Sequence, residues 1–284
     1  MAPVIHARGL SRSFGTVRAL DNVSFDVAEG QIVGLIGPNG AGKTTALKAI
    51  LGLGPYEGDL EVLGLNPRRD RARLMENVCF IADTAVLPKW MKVRQALQAA
   101  EGLHPRFRRE KAEAFLARTE IRSESRIAQL SKGMVTQLHL AIVMAVDATL
   151  LVLDEPTLGL DILFRKAFYT ALVEEYFDEK RTILVTTHQV EEIEHILTDL
   201  MFIDHGRLAL HEPMDALGDK YLEVAVHPDQ AEAARACEPI GERIVFGRPV
   251  FLFEGRRRDE LASLGEVKVP GIADLFVAKM GGGR

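Results

Sequence analysis

Residues 37–44 read GPNGAGKT and fit the spacing G-x-x-x-x-G-K-[ST]; the apolar run QIVGLI precedes them and a helix-like run, Lys43 to Leu51, follows. Glycines at this spacing let the backbone curl, so that successive N–H groups point at phosphate oxygens. The helix N-terminus behind them adds partial positive charge. Gly37, Pro38, Asn39, Gly40, Ala41 and Gly42 would form such a cradle. Lys43 would set a point charge against the β- and γ-phosphates, Thr44 would offer its hydroxyl to Mg²⁺, and Thr45 would reach the α-phosphate. A glycine-rich turn can match by chance, but the flanking strand and helix favour a phosphate-binding loop.

About 110 residues on, the run LLVLDEP places four apolar residues ahead of two carboxylates, Asp154 and Glu155. A buried strand that ends in an acidic turn would read the same way alone. With a phosphate loop upstream, Asp154 is placed to hold Mg²⁺ through water and Glu155 to take a proton from an attacking water. The pair of motifs establishes binding of a nucleotide with Mg²⁺, without establishing a task.

These groups need a sheet to hold them. Short β-rich runs alternate with helical patterns, which predicts an α/β domain with a largely parallel sheet. Strands are expected at Val23–Val27, Gln31–Ile36, Val78–Ile81, Leu150–Leu153, Thr182–Thr186 and Met201–Asp204, with a return strand at Leu208–Leu210. Between about Pro88 and Leu130 the pattern turns helical and charged, as in Val93–Ala100 and Arg106–Arg118, and reads as a helical insertion. After about Leu217 short β-like runs (YLEVAV, RIVFG, VFLF) and an amphipathic stretch, Ile272–Lys279, predict a small C-terminal appendage.

The 284 residues, 47% hydrophobic and 26% charged, can bury a sizeable core, which excludes disorder and a disulfide scaffold. A net charge of −5 gives no global electrostatic case for nucleic acid. Cys79 and Cys237 stand far apart without a CxxC spacing, which suits a reducing compartment. The start MAPVIHARGL lacks the features of a signal peptide, and the densest apolar stretch, Ala141–Val146, stops at Asp147. A soluble chain that meets a membrane only through a partner is therefore expected.

The segment that separates this chain from other phosphate-loop proteins is LSKGM, Leu130 to Met134, followed by a helix read over Thr136–Val146 that leads into LLVLDEP. Here the chain resembles the ATP-binding-cassette (ABC) family, whose signature LSGGQ precedes the second carboxylate motif. The resemblance covers residues 4–215. It implies ATP as the nucleotide, and its hydrolysis. It implies a P-loop NTPase core with an antiparallel β subdomain and a helical subdomain at about 85–135, a cassette over 1–217, and a small α+β extension over 218–284. In that family the signature loop caps the γ-phosphate held by a partner cassette. Ser131 and Gly133 keep the matching positions, while Lys132 and Met134 replace glycine and glutamine.

Other positions match in order. Gly159-Leu160-Asp161 corresponds to a loop between the two cassettes. His188 in VTTH corresponds to a histidine that contacts γ-phosphate and water, and Phe14 in SRSFGTV to an aromatic that stacks on adenine. A core phenylalanine in a hairpin would explain Phe14 as well. Asp83, in IADTAVLP, stands where the family carries a metal-touching glutamine, and its carboxylate could take Mg²⁺. The resemblance implies a homodimer or a second cassette as one partner and transmembrane permease subunits as the other. The tail VPGIADLFVAKM looks like that of cassettes from ABC-2-type exporters, so ATP-driven export from the cytoplasmic face of the cell membrane is expected. The alternative, a soluble ABC ATPase acting on ribosome or nucleic acid, calls for tandem cassettes, a coiled coil or zinc motifs, which this sequence lacks. Val86, Leu87, Trp90 and Met91 form either a surface for a membrane subunit or an internal packing cluster. Arg68, Arg69, Arg71, Arg73 and the run RFRREK, Arg106–Lys111, read as solvated faces before lipid-binding ones.

Overall fold

The chain opens with two long antiparallel strands, β1 (Ile5–Phe14) and β2 (Val17–Val27), in a computed structural model that describes residues 2–81, 87–188 and 190–281. Their inward positions, Ile5, Ala7 and Leu10 opposite Leu20, Val23 and Phe25, are buried as a one-sided sheet requires. Strand β3 (Ile32–Ile36) is buried along its whole length and leads through the glycine-rich loop into helix α1 (Lys43–Ile50). Strand β4 (Glu57–Val62) returns to the free edge of β1 and completes a three-stranded antiparallel sheet.

A short helix α2 (Arg71–Met75) precedes β5 (Val78–Ile81). Three helices follow, α3 (Val93–Leu103), α4 (Arg109–Leu116) and α5 (Lys132–Met144). Next come β6 (Leu150–Asp154), α6 (Ile162–Ala171), β7 (Thr182–Thr187), β8 (Asp199–Asp204) and β9 (Arg207–Pro213). The main sheet runs β5-β6-β7-β3-β8-β9, parallel except for the terminal hairpin strand β9. Alternation along its strands splits the core in two. Ile32, Ile36, Leu151 and Leu153 face the helical insertion, whereas Val33, Leu35, Leu150 and Val152 face α1 and the antiparallel sheet.

Helix α5 starts four residues earlier than its periodicity predicts, at Lys132 rather than Thr136. The side chain of Ser131 caps it by accepting from the Met134 N–H at 3.2 Å, which makes the LSKGM loop the first turn of the helix.

Helix α7 (Met214–Lys220) runs across the position where the composition changes, so the texture shift at Leu217 falls inside a helix. Beyond it come β10 (Tyr221–Val226), α8 (Ala231–Ala236), β11 (Gly241–Val245), β12 (Arg248–Glu254), α9 (Arg258–Leu261), β13 (Gly265–Lys268) and α10 (Ile272–Gly281). The sheet order β11-β12-β10-β13, antiparallel throughout, makes this a βαββαβ unit of the split-βαβ kind. Strand β13 was not expected from the sequence, because GEVK is short and half polar. Helices α8 and α9 close one face over Leu222, Val224, Phe251 and Phe253. The other face looks toward α10, which returns to the main core through Ile272 and Leu275 and sets Phe276 edge-on to Phe202, ring centroids 5.1 Å apart.

Candidate functional site

Strands β6, β7 and β3 are neighbours in the main sheet, and their C-terminal ends deliver Asp154, His188 and the 37–44 loop to one edge. That edge is where open α/β sheets hold ligands. The loop closes tightly against the antiparallel sheet: Gly42, the residue ahead of α1, has φ +112°, and a Cβ there would lie 2.4 Å from the Ala19 carbonyl oxygen. A side chain at 42 is thus barred by both backbone and space. Lys43 is buried, and its Nζ donates to the carbonyls of Gly37 (2.6 Å) and Pro38 (3.2 Å). Burial pushes its pKa down, and the carboxylates of Glu155 and Asp154 pull it back up.

Asp154 is held from two sides. The Thr44 hydroxyl donates to its Oδ2 at 3.1 Å, and the Thr186 hydroxyl to its Oδ1 at 2.6 Å. Glu155 lies in the left-handed region, φ +48°, which costs a non-glycine residue about 1–2 kcal/mol. Its N–H donates to the Thr186 carbonyl at 3.1 Å, and its Oε2 lies 2.9 Å from His188 Nδ1. A cavity of about 210 Å³ lies between the loop, including Lys43, Thr44 and Thr45, and the two carboxylates. Among the described residues no cluster of three or more His, Cys, Asp or Glu could hold a metal by itself. Mg²⁺ does not need one. It is bound through one or two oxygen ligands of the protein plus phosphate and water, and Thr44 Oγ1 with Asp154 fits that donor set. Asp83 lies outside the described residues.

The remaining predicted residues stand away from this cavity. Phe14 is exposed at the tip of the β1–β2 hairpin, so it is not a core residue; the Arg12 guanidinium sits over its ring, 4.6 Å from the centroid. Ser131 and Gly133 occupy the start of α5 and do not line the cavity of their own chain. Asp161 caps α6 by accepting from the Phe164 N–H at 2.9 Å. Val86 lies outside the described residues; Leu87 and Met91 pack against the core, while Trp90 is 70% exposed. Arg109 is engaged by Glu101 and Glu113 on an exposed face, as a solvated surface requires.

The family profile described as ABC transporter matches residues 20–158. Nod factor export ATP-binding protein I of Sinorhizobium fredii is 36% identical over 230 residues, 77% of this chain and 65% of that protein. The protein of the same name from Cupriavidus metallidurans is 32% identical over 285 residues, 93% of this chain and 90% of that one. A solved structure described as the ATP binding subunit of an ABC transporter, 27% identical, superposes with a TM-score of 0.67 over 75% of this chain and 91% of its own. The chain belongs to the ABC transporter family.

It is an ATP-binding subunit of that family, and such cassettes are ATPases coupled to transport. The profile match holds both the phosphate loop and the carboxylate pair; His188 and the C-terminal unit lie beyond it. The cassette fold also shows what reading along the chain missed. Thr186 has no motif of its own, yet it fixes the Asp154 carboxylate, because β7 pairs with β6 and brings Thr186 opposite Asp154. Only the strand register reveals that pairing. The described residues include no helix long and apolar enough to cross a membrane.

Proposed function

We propose that this cassette drives export across a membrane by closing with a second cassette, a copy of itself or another chain, on two molecules of ATP, and by reopening after hydrolysis. Relatives named for Nod factor export support the direction. Transmembrane permease subunits would form the path, and the cassette would sit on the cytoplasmic face, bound to the membrane only through them. Backbone N–H groups of Asn39 to Gly42 cradle the phosphates. Lys43 leaves the carbonyls of Gly37 and Pro38 to meet the β- and γ-phosphates. Mg²⁺, held by Thr44, Asp154 and Asp83, would neutralise phosphate charge.

Glu155 takes the proton as water forms its bond to the γ-phosphorus and ADP leaves. His188 holds the Glu155 carboxylate toward the cavity and lies beside the same water. Ser131 and Gly133 of one cassette cap the γ-phosphate in the other, and Phe14 stacks on the adenine. The observation that carries this reading is the Glu155–His188 pair, 2.9 Å apart, at the strand ends facing the phosphate loop.

The test is Glu155→Gln. The amide keeps the shape but cannot accept the proton, so hydrolysis should fall by about 10²–10⁴ with ATP binding retained. An ATP-bound dimer should then accumulate and be seen by size-exclusion chromatography with Mg-ATP. Hydrolysis near the wild-type rate would remove Glu155 as the base.

A further inference from the structure

The C-terminal unit contains a cavity that the ATPase reading does not use. It has a volume of about 420 Å³ and lies between the second face of the split-βαβ sheet and α10. Its apolar walls come from Ile240, Val250 and Leu252 on one side and Val277 and Ala278 on the other. At the closed end α10 approaches the sheet so nearly that a Cβ at Gly241 would lie 2.8 Å from that of Ala278. Val277, 67% exposed, stands at the mouth.

The floor carries a carboxylate, Glu223, that is only 2% exposed. Two cations balance it: Arg243 Nη2 at 2.8 Å and Lys268 Nζ at 3.0 Å. Arg243 also pairs with Asp274 of α10. The two signs of charge are held differently. Glu223 is fixed by burial within β10, whereas Arg243 and Lys268 reach it on long flexible stems from positions 39% and 60% exposed. A buried carboxylate must keep a cation, and an incoming ammonium would supply that charge while Arg243 keeps its pair with Asp274. A ligand ammonium could therefore take the place of the Arg243 head group, with its apolar body against the cavity walls.

Another side of α10 meets the segment that follows His188. The helix packs against the turn Val190–Glu192, which begins two residues past His188. Glu192 in turn pairs with Arg165 at 2.5 Å, and Arg165 Nε donates to the Leu160 carbonyl at 2.8 Å in the Gly159–Asp161 loop. One helix thus forms the lid of the cavity and the support of the segment that follows His188.

We propose that the C-terminal unit is an effector site: the cavity under α10 binds a compact apolar molecule bearing a positively charged amine, and α10 passes its occupancy to the hydrolytic site. Only the second half rests on the ATPase reading, and binding is measured without nucleotide, so the two fail separately. The full chain is titrated calorimetrically with octylamine, octanol and octanoate below their micellar concentrations. Octylamine should bind about tenfold or more tightly than either, the scale of one charge-assisted hydrogen bond. Glu223→Gln should remove that preference. Val277→Trp, a change at a 67% exposed position, should block all three ligands, with an unchanged melting temperature as the check that the fold is kept. Saturating octylamine should change the ATPase rate of the wild type by about twofold or more and leave that of Val277→Trp unmoved. Equal affinity for the three ligands, or undiminished amine binding in Val277→Trp, would overturn the site. Amine binding with an unchanged ATPase rate would overturn the coupling.

Discussion

Asp154, the proposed Mg²⁺ carboxylate, is oriented by residues that are not all candidate ligands. Its two oxygens are claimed within the chain, one by Thr44 and one by Thr186. Both hydroxyls hold the carboxylate in a single orientation. On the proposed reading Thr44 and Asp154 would hold Mg²⁺, and Thr186 would be the partner that keeps the Asp154 carboxylate aimed. Partners of this kind typically change metal affinity by about 10–100-fold. Thr186→Val preserves the β-branched shape in the buried strand and deletes the donor. We expect the Mg²⁺ concentration for half-maximal ATPase activity to rise by about tenfold, with the rate at saturating Mg²⁺ largely recovered. A rate loss that Mg²⁺ cannot restore would mean that Thr186 acts on Glu155 or on the fold instead.

At the scale of elements, the segment from Leu87 to Lys92 is split between two duties. Leu87 and Met91 anchor it in the core shared with the helical insertion, and backbone bonds from Ile127 N to Met91 O (2.9 Å) and from Ala128 N to Lys89 O (3.0 Å) fix its course. Trp90 is thereby held outward on a rigid loop. A large aromatic exposed at 70% on a fixed support has the character of an interface anchor. Trp90→Ala should weaken association with the membrane subunit by about tenfold or more while ATP affinity stays near wild type. Co-purification and nucleotide titration check the two halves. Loss of folding would instead assign Trp90 to packing.

At the scale of the whole molecule, the LSKGM loop stands at the start of α5 and contributes nothing to the cavity of its own chain. On the proposed reading, its cap on γ-phosphate acts between chains. The double variant Glu155→Gln with Ser131→Arg tests this. An arginine at 131 removes the helix cap, a loss of about 1 kcal/mol from an exposed end, and fills the space that the second chain's phosphate would enter. Each chain should still bind ATP, since Lys43, Thr44 and the loop amides are intact, but the Mg-ATP dimer seen with Glu155→Gln alone should disappear. A persistent dimer would show that closure does not pass through this loop.

The sequence by itself determined the parts of this protein whose chemistry is local. A phosphate loop requires glycines at set spacing before a helix, so GPNGAGKT was legible, and LLVLDEP was legible because a buried strand must be apolar until its last residues. The strands of the main sheet and helices α1, α3, α4 and α5 were placed within a few residues for the same reason, their periodicity being a property of neighbouring positions, whereas β1, β4 and α6 were not placed. What required the tertiary structure was everything that depends on register and on return contacts. Thr186 meets Asp154 because β7 pairs with β6. Glu155 turns to His188 through a left-handed backbone that no side-chain pattern announces. The C-terminal runs could be read as strands, but their split-βαβ order, the buried Glu223 and the return of α10 to the turn after His188 come from contacts between segments far apart in the chain. Long-range pairing is selected by the summed burial of whole faces, a quantity no single stretch of sequence contains.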